Sequence, residues 1–355
     1  MEPALTSLLR ERVTVSGSIS FFEFMEHCLY HPEFGYYSSG RKVVGREGDF
    51  YTSVSTGSLF GRLLADEFYQ VWLDLGKPAE WRIVEQGANR GELAADLLRR
   101  LREVDEAAWR ACQYVLVEPH PALRAIQRQT LAGENIRQIS TDELAEQSIR
   151  GVFFSNELAD ALPVQCVKFS GGEWRELRVS WDADGEKFTW REMPCDQLLA
   201  WRIAEWKIPA GEGYCAEISP RLGDWAASVA RCLAEGIFLT IDYGGLAEEL
   251  YTPNRREGTL RAYRRHRQMA DVLAAPGEQD LTAHVNFSRL IASGGQGGLR
   301  LREYTDQRRY LTRLGQRRFF QEMERSPSAK LLREFQTLTH PASMGVVFKA
   351  LTLTV

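Results

Sequence analysis

Four carboxylates and a glycine turn mark where chemistry can occur in this chain. Residues 82–101, RIVEQGANRGELAADLLRRL, run from an apolar strand into Glu85, then the turn Gly87-Ala88-Asn89-Arg90-Gly91, then an amphipathic helix. Glycines let a backbone approach a ligand closely, and a helix start offers N–H groups with no partner inside the helix. A pyrophosphate suits this turn poorly. It has only two glycines, Asn89 stands where a G-x-G-x-G turn has its middle one, and Glu85 would repel phosphate. An acid at that strand end suits a cationic ligand, such as the amino and sulfonium groups of S-adenosylmethionine. The competing structural reading is a strand–glycine–helix turn that merely packs tightly.

Glu118 closes the next apolar run, YVLVEPHP. In open α/β sheets an acid there hydrogen-bonds the ribose hydroxyls of a bound nucleoside. It follows Gly91 by 27 residues (118 − 91), against about 20 in dinucleotide-binding folds, which disfavours a nicotinamide-dependent oxidoreductase. A further segment, FFSNELADALPVQ, places Asn156, Glu157 and Asp160 just beyond a strand, where ligands of such sheets bind. Asn156 can accept from a substrate N–H, and a carboxylate can pair bidentately with a guanidinium. The structural alternative is a helix N-cap at Ser155 or Asn156, with Glu157 in the first turn.

The elements that must hold these residues alternate in the sequence. Strands are expected at 81–85, 113–118, 136–139 and 151–155, with helices at 92–102 and 121–131 between them. Such alternation predicts a parallel sheet covered on both faces. A helix at 220–233, a buried strand at 236–242, and strands at 299–304 and 345–354 make seven strands, the last two forming an antiparallel edge. A polar helical stretch of about 30 residues separates those two. Residues 164–213 read as an inserted β-hairpin followed by a helix at 197–206. The division expected is an N-terminal helical cap (1–60), a core (61–163 and 214–355) and the insertion (164–213), which would bind substrate or a partner.

Composition narrows the setting. The 355 residues carry a net charge of −4, which gives no electrostatic reason to expect nucleic acid. No apolar run is long enough to span a bilayer. Six cysteines are scattered without C-x-x-C or histidine at metal spacing, so they read as reduced thiols and no metal is expected. Together with an N-terminus that lacks signal- or transit-peptide character, this predicts a cytoplasmic protein. His266, Asp280, Thr282 and His284 fall on segments expected to be irregular backbone.

Taken in order, YHPEFGYY, GREGDF, LFG, the glycine turn, VEPHPALR, NELADALPV, IDYG, GTLRAYRRH, PGEQDLTAHVNF and MGVVFKAL resemble the MidA-like family of S-adenosylmethionine-dependent methyltransferases over nearly the whole chain. The resemblance implies a class I methyltransferase (Rossmann-like) fold with S-adenosylmethionine as cofactor. It implies a protein substrate too, since eukaryotic members are associated with dimethylation of an arginine in a complex I subunit. Carried over by position, Glu85, Gly87, Asn89, Gly91 and Glu118 would bind the cofactor, and Gly48, Asp49, Phe50 and Thr52 would belong to the cap that covers it. Asn156 and Glu157 would line the transfer point. Read from the residues themselves, Asp160 shares that sheet edge, Glu217 is a candidate second acid, and Asp280 or His284 is a candidate proton acceptor. The family's turn is typically E-L-G-P-G-R-G, where this chain has Gln86, Ala88 and Asn89, and His120 replaces a usual serine. These departures motivate the alternative of a non-catalytic assembly protein. Asn is the residue that, after glycine, most readily takes positive φ, so the turn is expected to survive.

Overall fold

Apolar runs build the central sheet. Ile83 and Val84, Tyr114 to Val117, Val152 to Phe154 and Ile237 to Leu239 are all buried, the near-continuous pattern of strands covered on both faces. In the computed structural model, which describes residues 3–38, 52–265 and 267–355, they form β1 (Trp81–Gln86), β2 (Cys112–Val117), β3 (Ile136–Ile139), β4 (Ile149–Asn156) and β5 (Leu233–Gly245). Two later strands, β6 (Arg300–Asp306) and β7 (Phe348–Thr354), complete one edge. The order is β6-β7-β5-β4-β1-β2-β3. Strands β1 to β5 pair in parallel, and β7 runs antiparallel to both β5 and β6. The sheet holds eight strands, against seven expected, because the two-residue strand Val285–Asn286 is an eighth member off this path.

Three helices matter for the site: α1 (Leu59–Asp74), α2 (Glu92–Val104) and α3 (Pro121–Thr130). In α2, Leu93, Leu97, Leu98 and Leu101 recur at helical spacing and all four are buried. The polar helical stretch expected between the last two strands consists of three helices, Gln307–Gly315, Phe319–Arg325 and Ala329–Thr339. One break has a clear cause. Ser326 precedes Pro327, which disfavours the helical region for it, and Ser326 leaves that region at φ −144°, ψ 86°.

The chain divides into two compact units. A core unit comprises Tyr51–Ala159, Asp224–Gly244 and Leu290–Val355, and an appended unit comprises Met1–Phe50, Asp160–Gly223 and Gly245–Arg289. Within the appended unit, the N-terminal helices Ala4–Ser16 and Phe21–Tyr30 share one hydrophobic core with the 164–213 segment, through Leu9, Phe21 and Phe24 on one side and Cys166, Val179 and Phe188 on the other. The expected cap and insertion are therefore joined by a common core. That segment has three strands, Gln165–Ser170, Glu173–Asp182 and Lys187–Pro194, before its helix Gln197–Glu205. The segments expected as irregular loops also pair: Arg261–Arg264 lies antiparallel to Arg267–Met269 and Asp280–Thr282. Among the described residues no helix is long and apolar enough to cross a membrane, and all six cysteines are free.

Candidate cofactor and transfer site

Strand order reverses between β1 and β4, and ligands of open α/β sheets bind outside the carboxyl ends of the strands at such a point. Gln86, the last residue of β1, pairs with both Val117 of β2 and Ser155 of β4. The glycine turn and the Asn156-Glu157 segment therefore leave the sheet side by side. A Cβ built on Gly87 would stand 3.0 Å from Leu158 Cδ1.

The turn keeps its shape despite the missing glycine. Gly87, Asn89 and Gly91 have φ of 84°, 47° and 85°, so Asn89 occupies the left-handed region that asparagine tolerates best among residues with a side chain. Its carbonyl accepts from Gln127 Nε2 at 2.7 Å, and Gly91 N–H donates to the Ala88 carbonyl at 2.8 Å. Helix α2 begins at once after Gly91 with no side chain among the described residues capping it, which leaves its first amides and dipole for a ligand. Gln86 departs from the family pattern for a local reason: its Oε1 accepts the Trp225 indole N–H at 2.9 Å.

Glu85 differs from expectation in its charge. It is buried and accepts from the Tyr114 hydroxyl at 2.6 Å. Burial pushes its carboxyl up to about 7, with the Tyr114 hydrogen bond opposing the rise. Near neutral pH it is thus part-protonated, a weaker cation partner than an exposed acid would be. Glu118 lies one residue past β2. Its Oε1 accepts from His120 N–H at 2.8 Å and its Oε2 from Gln127 Nε2 at 3.3 Å, while burial raises its carboxyl. Gln127, fully buried on α3, therefore bridges the turn and the ribose-binding candidate. Nothing in its spacing marks it in the sequence.

At the end of β4 the helix-cap reading fails. Ser155 Oγ pairs with Thr240 Oγ1 at 2.9 Å, and the segment continues into only a three-residue 3-10 turn, Ala159–Ala161. The amides of Leu158 and Ala159 instead donate to Asp242 Oδ2 at 3.1 and 2.8 Å. Glu157 sits at φ 53°, and its Oε1 accepts from Asn156 Nδ2 at 3.0 Å and from Ser53 N–H at 3.1 Å. Asn156 Oδ1 is buried and accepts no hydrogen bond among the described residues. A buried acceptor without a partner is uncommon in proteins and calls for a ligand or water.

Of the four residues expected in the cap, Gly48, Asp49 and Phe50 lie outside the described residues, as does His266. Thr52 is buried, but its Oγ1 accepts from Ser55 N–H at 3.3 Å within a local turn. Its neighbour Ser53 makes the longer-range contacts, to Glu157 and, through Oγ, to Gln307 Oε1 at 3.3 Å. Ser53, Asp242 and Gln307 are polar residues the sequence reading left without a role.

Asp160 and His284 belong to the appended unit. Burial and the cations Arg255 and Arg261 lower His284 to about 4, so it is a poor proton acceptor, contrary to expectation. It lines a recess with Glu217, Tyr251, Arg255 and Thr259. Asp280 accepts from the Tyr37 hydroxyl at 2.9 Å on both oxygens. Burial raises Asp160 well above the usual carboxylate range, giving it the basicity that His284 lacks. Glu217 accepts from the Thr259 N–H and hydroxyl, each at 2.8 Å, and so ties its strand to the GTLRAYRRH segment.

Residues 63–305 match the model of a family described as S-adenosyl-L-methionine-dependent methyltransferases. This chain belongs to that family. A crystal structure from Burkholderia thailandensis bound to S-adenosyl-homocysteine is 33% identical, with a TM-score of 0.88 over 99% of this chain and 92% of that one. Among curated proteins, the Mus musculus "Protein arginine methyltransferase NDUFAF7, mitochondrial" is 30% identical over 98% of this chain and 85% of its own length. The Drosophila melanogaster homologue is 28% identical over 99% and 84%. The chain is thus an α/β methyltransferase with a mixed sheet, and its cofactor is S-adenosylmethionine. The expectation of a cytoplasmic protein does not stand, because these relatives are named mitochondrial. The residues present fit the cofactor: a three-point left-handed turn, an uncapped helix start and a buried carboxylate at Glu118.

Proposed function

We propose that this methyltransferase modifies an arginine nitrogen of a protein, and that the acceptor is a subunit of a complex I-type assembly. The observation that carries the reading is the Asn156-Glu157 pair at the carboxyl end of β4, beside the glycine turn at the strand-order switch. The names of the curated relatives support the arginine assignment. In this reading Gly87, Asn89, Gly91, the start of α2 and Glu118 hold the cofactor, which supplies a methyl group on a sulfonium. Glu157 binds the acceptor guanidinium and draws its positive charge toward the far nitrogen, leaving the near one nucleophilic. Asn156 Oδ1, without a hydrogen-bond partner among the described residues, accepts an N–H and fixes orientation. Alignment then lets the near nitrogen take the methyl group as its bond to sulfur breaks, S-adenosyl-homocysteine leaves, and the nitrogen gives up one proton to solvent.

The test uses the full-length protein, tritiated S-adenosylmethionine and a lysate from cells lacking this protein. Label should appear on arginine of one polypeptide. Glu157→Gln keeps the side-chain shape and removes the charge. It should cut incorporation about 100-fold, as expected for losing one charged contact made in the transition state, while S-adenosyl-homocysteine binding measured by calorimetry stays near wild type. Label on another residue type, or full activity in Glu157→Gln, would sink the reading.

A further inference from the structure

Glu157 has a side chain yet holds φ 53°, a region such residues rarely occupy unless their surroundings impose it. Two consecutive residues of β5 impose it here. Ile241 O accepts the Glu157 N–H at 2.9 Å. Asp242, fully buried, then takes the next two amides on Oδ2, Leu158 at 3.1 Å and Ala159 at 2.8 Å. Its Oδ1 takes the Tyr243 N–H at 2.8 Å. The parallel ladder between β4 and β5 ends at the Asn156–Ile241 pair, so this carboxylate begins where the ladder stops and continues its bonding for two residues more. The backbone on both sides of Glu157 is thereby fixed to one strand, and Asn156 Nδ2 and Ser53 N–H hold the side chain at Oε1.

We infer that Asp242 is a positioning residue for methyl transfer: it fixes the left-handed turn that aims the Glu157 carboxylate at the acceptor. This rests on the role proposed for Glu157. The hydrogen bonds Asp242 accepts from Leu158, Ala159 and Tyr243 involve none of the residues assigned to the cofactor's turn, so its loss should slow transfer more than it weakens cofactor binding. Asn at 242 keeps one acceptor oxygen and loses the second.

The experiment compares Glu157→Gln, Asp242→Asn and the double variant. It reads the apparent kcat for tritium transfer into lysate protein, the KM for S-adenosylmethionine, and calorimetric binding of S-adenosyl-homocysteine. Asp242→Asn should lower kcat at least tenfold, with KM and binding within threefold of wild type. The double variant should be no slower than Glu157→Gln, because both changes disable one carboxylate. Full kcat in Asp242→Asn with a slow Glu157→Gln overturns the positioning role and spares the reading beneath it. Full kcat in Glu157→Gln defeats both, and multiplicative losses in the double variant overturn the inference as well. If Asp242→Asn binds no S-adenosyl-homocysteine, hydrogen exchange on the wild-type protein decides. The Leu158 and Ala159 amides should be as protected as those of β4, and exchange at the rate of an open loop refutes the arrangement.

Discussion

The turn after β1 and the turn after β4 leave the sheet side by side, and both pass through the left-handed region of backbone space. They reach it by opposite means. The first uses residue type: two glycines and an asparagine take positive φ at little cost, and one local bond, Gly91 to Ala88, closes the turn. The second uses its surroundings, since the Glu157 N–H donates to the Ile241 carbonyl and the next two amides, Leu158 and Ala159, donate to the Asp242 carboxylate, both acceptors on another strand. A turn built from permissive residues suits binding a cofactor through backbone amides. A turn that must present a charged side chain cannot use glycine at that position, and neighbouring strands have to supply the constraint instead.

The contrast can be broken at several points. Gly87→Val is the harshest. It puts a β-branched residue at φ 84° and a Cβ 3.0 Å from Leu158 Cδ1. Strain of about 1–3 kcal/mol should weaken S-adenosyl-homocysteine binding roughly 10- to 100-fold and lower the melting temperature. Unchanged binding by calorimetry would show that the turn does not carry the cofactor. Next comes Glu85→Gln. The folded carboxyl titrates near 7, above its ordinary value of 4.5. The native protein therefore binds a proton that the unfolded chain releases, and stability is lost as pH rises from about 4.5 through 7. The variant removes that titration. Denaturant midpoints should show it gaining on the cofactor-free wild type between pH 5 and pH 8, by at most about 3 kcal/mol. A constant difference across that range would contradict the raised value. The smallest effect is Asn89→Gly. It relieves a tolerated conformation while adding chain entropy, so stability should move by less than about 1 kcal/mol and cofactor affinity by less than a few-fold. A large gain in affinity would mean that Asn89 had degraded the turn.

The same contrast explains what could be read before the fold was known. Gly87, Asn89 and Gly91 announce their conformation by identity, and Ile83-Val84 and Val152-Phe153-Phe154 announce buried strands by apolar continuity. The parallel pairing and the antiparallel edge followed, whereas the spatial order of the strands came only with the fold. Glu157 announced a carboxylate at a working edge but not its backbone angle, because that angle depends on Asp242, 85 residues further on. Ser53, Gln127 and Gln307 were equally silent, as hydrogen bonds between distant segments leave no local periodicity. The helix cap expected at Ser155 and Asn156 failed for a related reason: Ser-Asn-Glu suits a cap locally, and a buried aspartate on another strand took the amides first. The joint core of the N-terminal helices with the 164–213 segment also rests on pairings that only the fold reveals.

The contact between Gly87 and Leu158 has a consequence for how this site can change over generations. The two turns share one wall, and Gly87 at φ 84° strains any side chain placed there whatever the space, so only the residue at 158 is free to vary in volume. A bulkier residue at 158 would press on the glycine turn, and Leu158 adjoins the acid proposed to meet the acceptor. Position 87 should therefore stay glycine among descendants of this chain while 158 keeps to side chains no larger than leucine, and selection for a different acceptor would be limited by the wall of the turn proposed to hold the methyl donor.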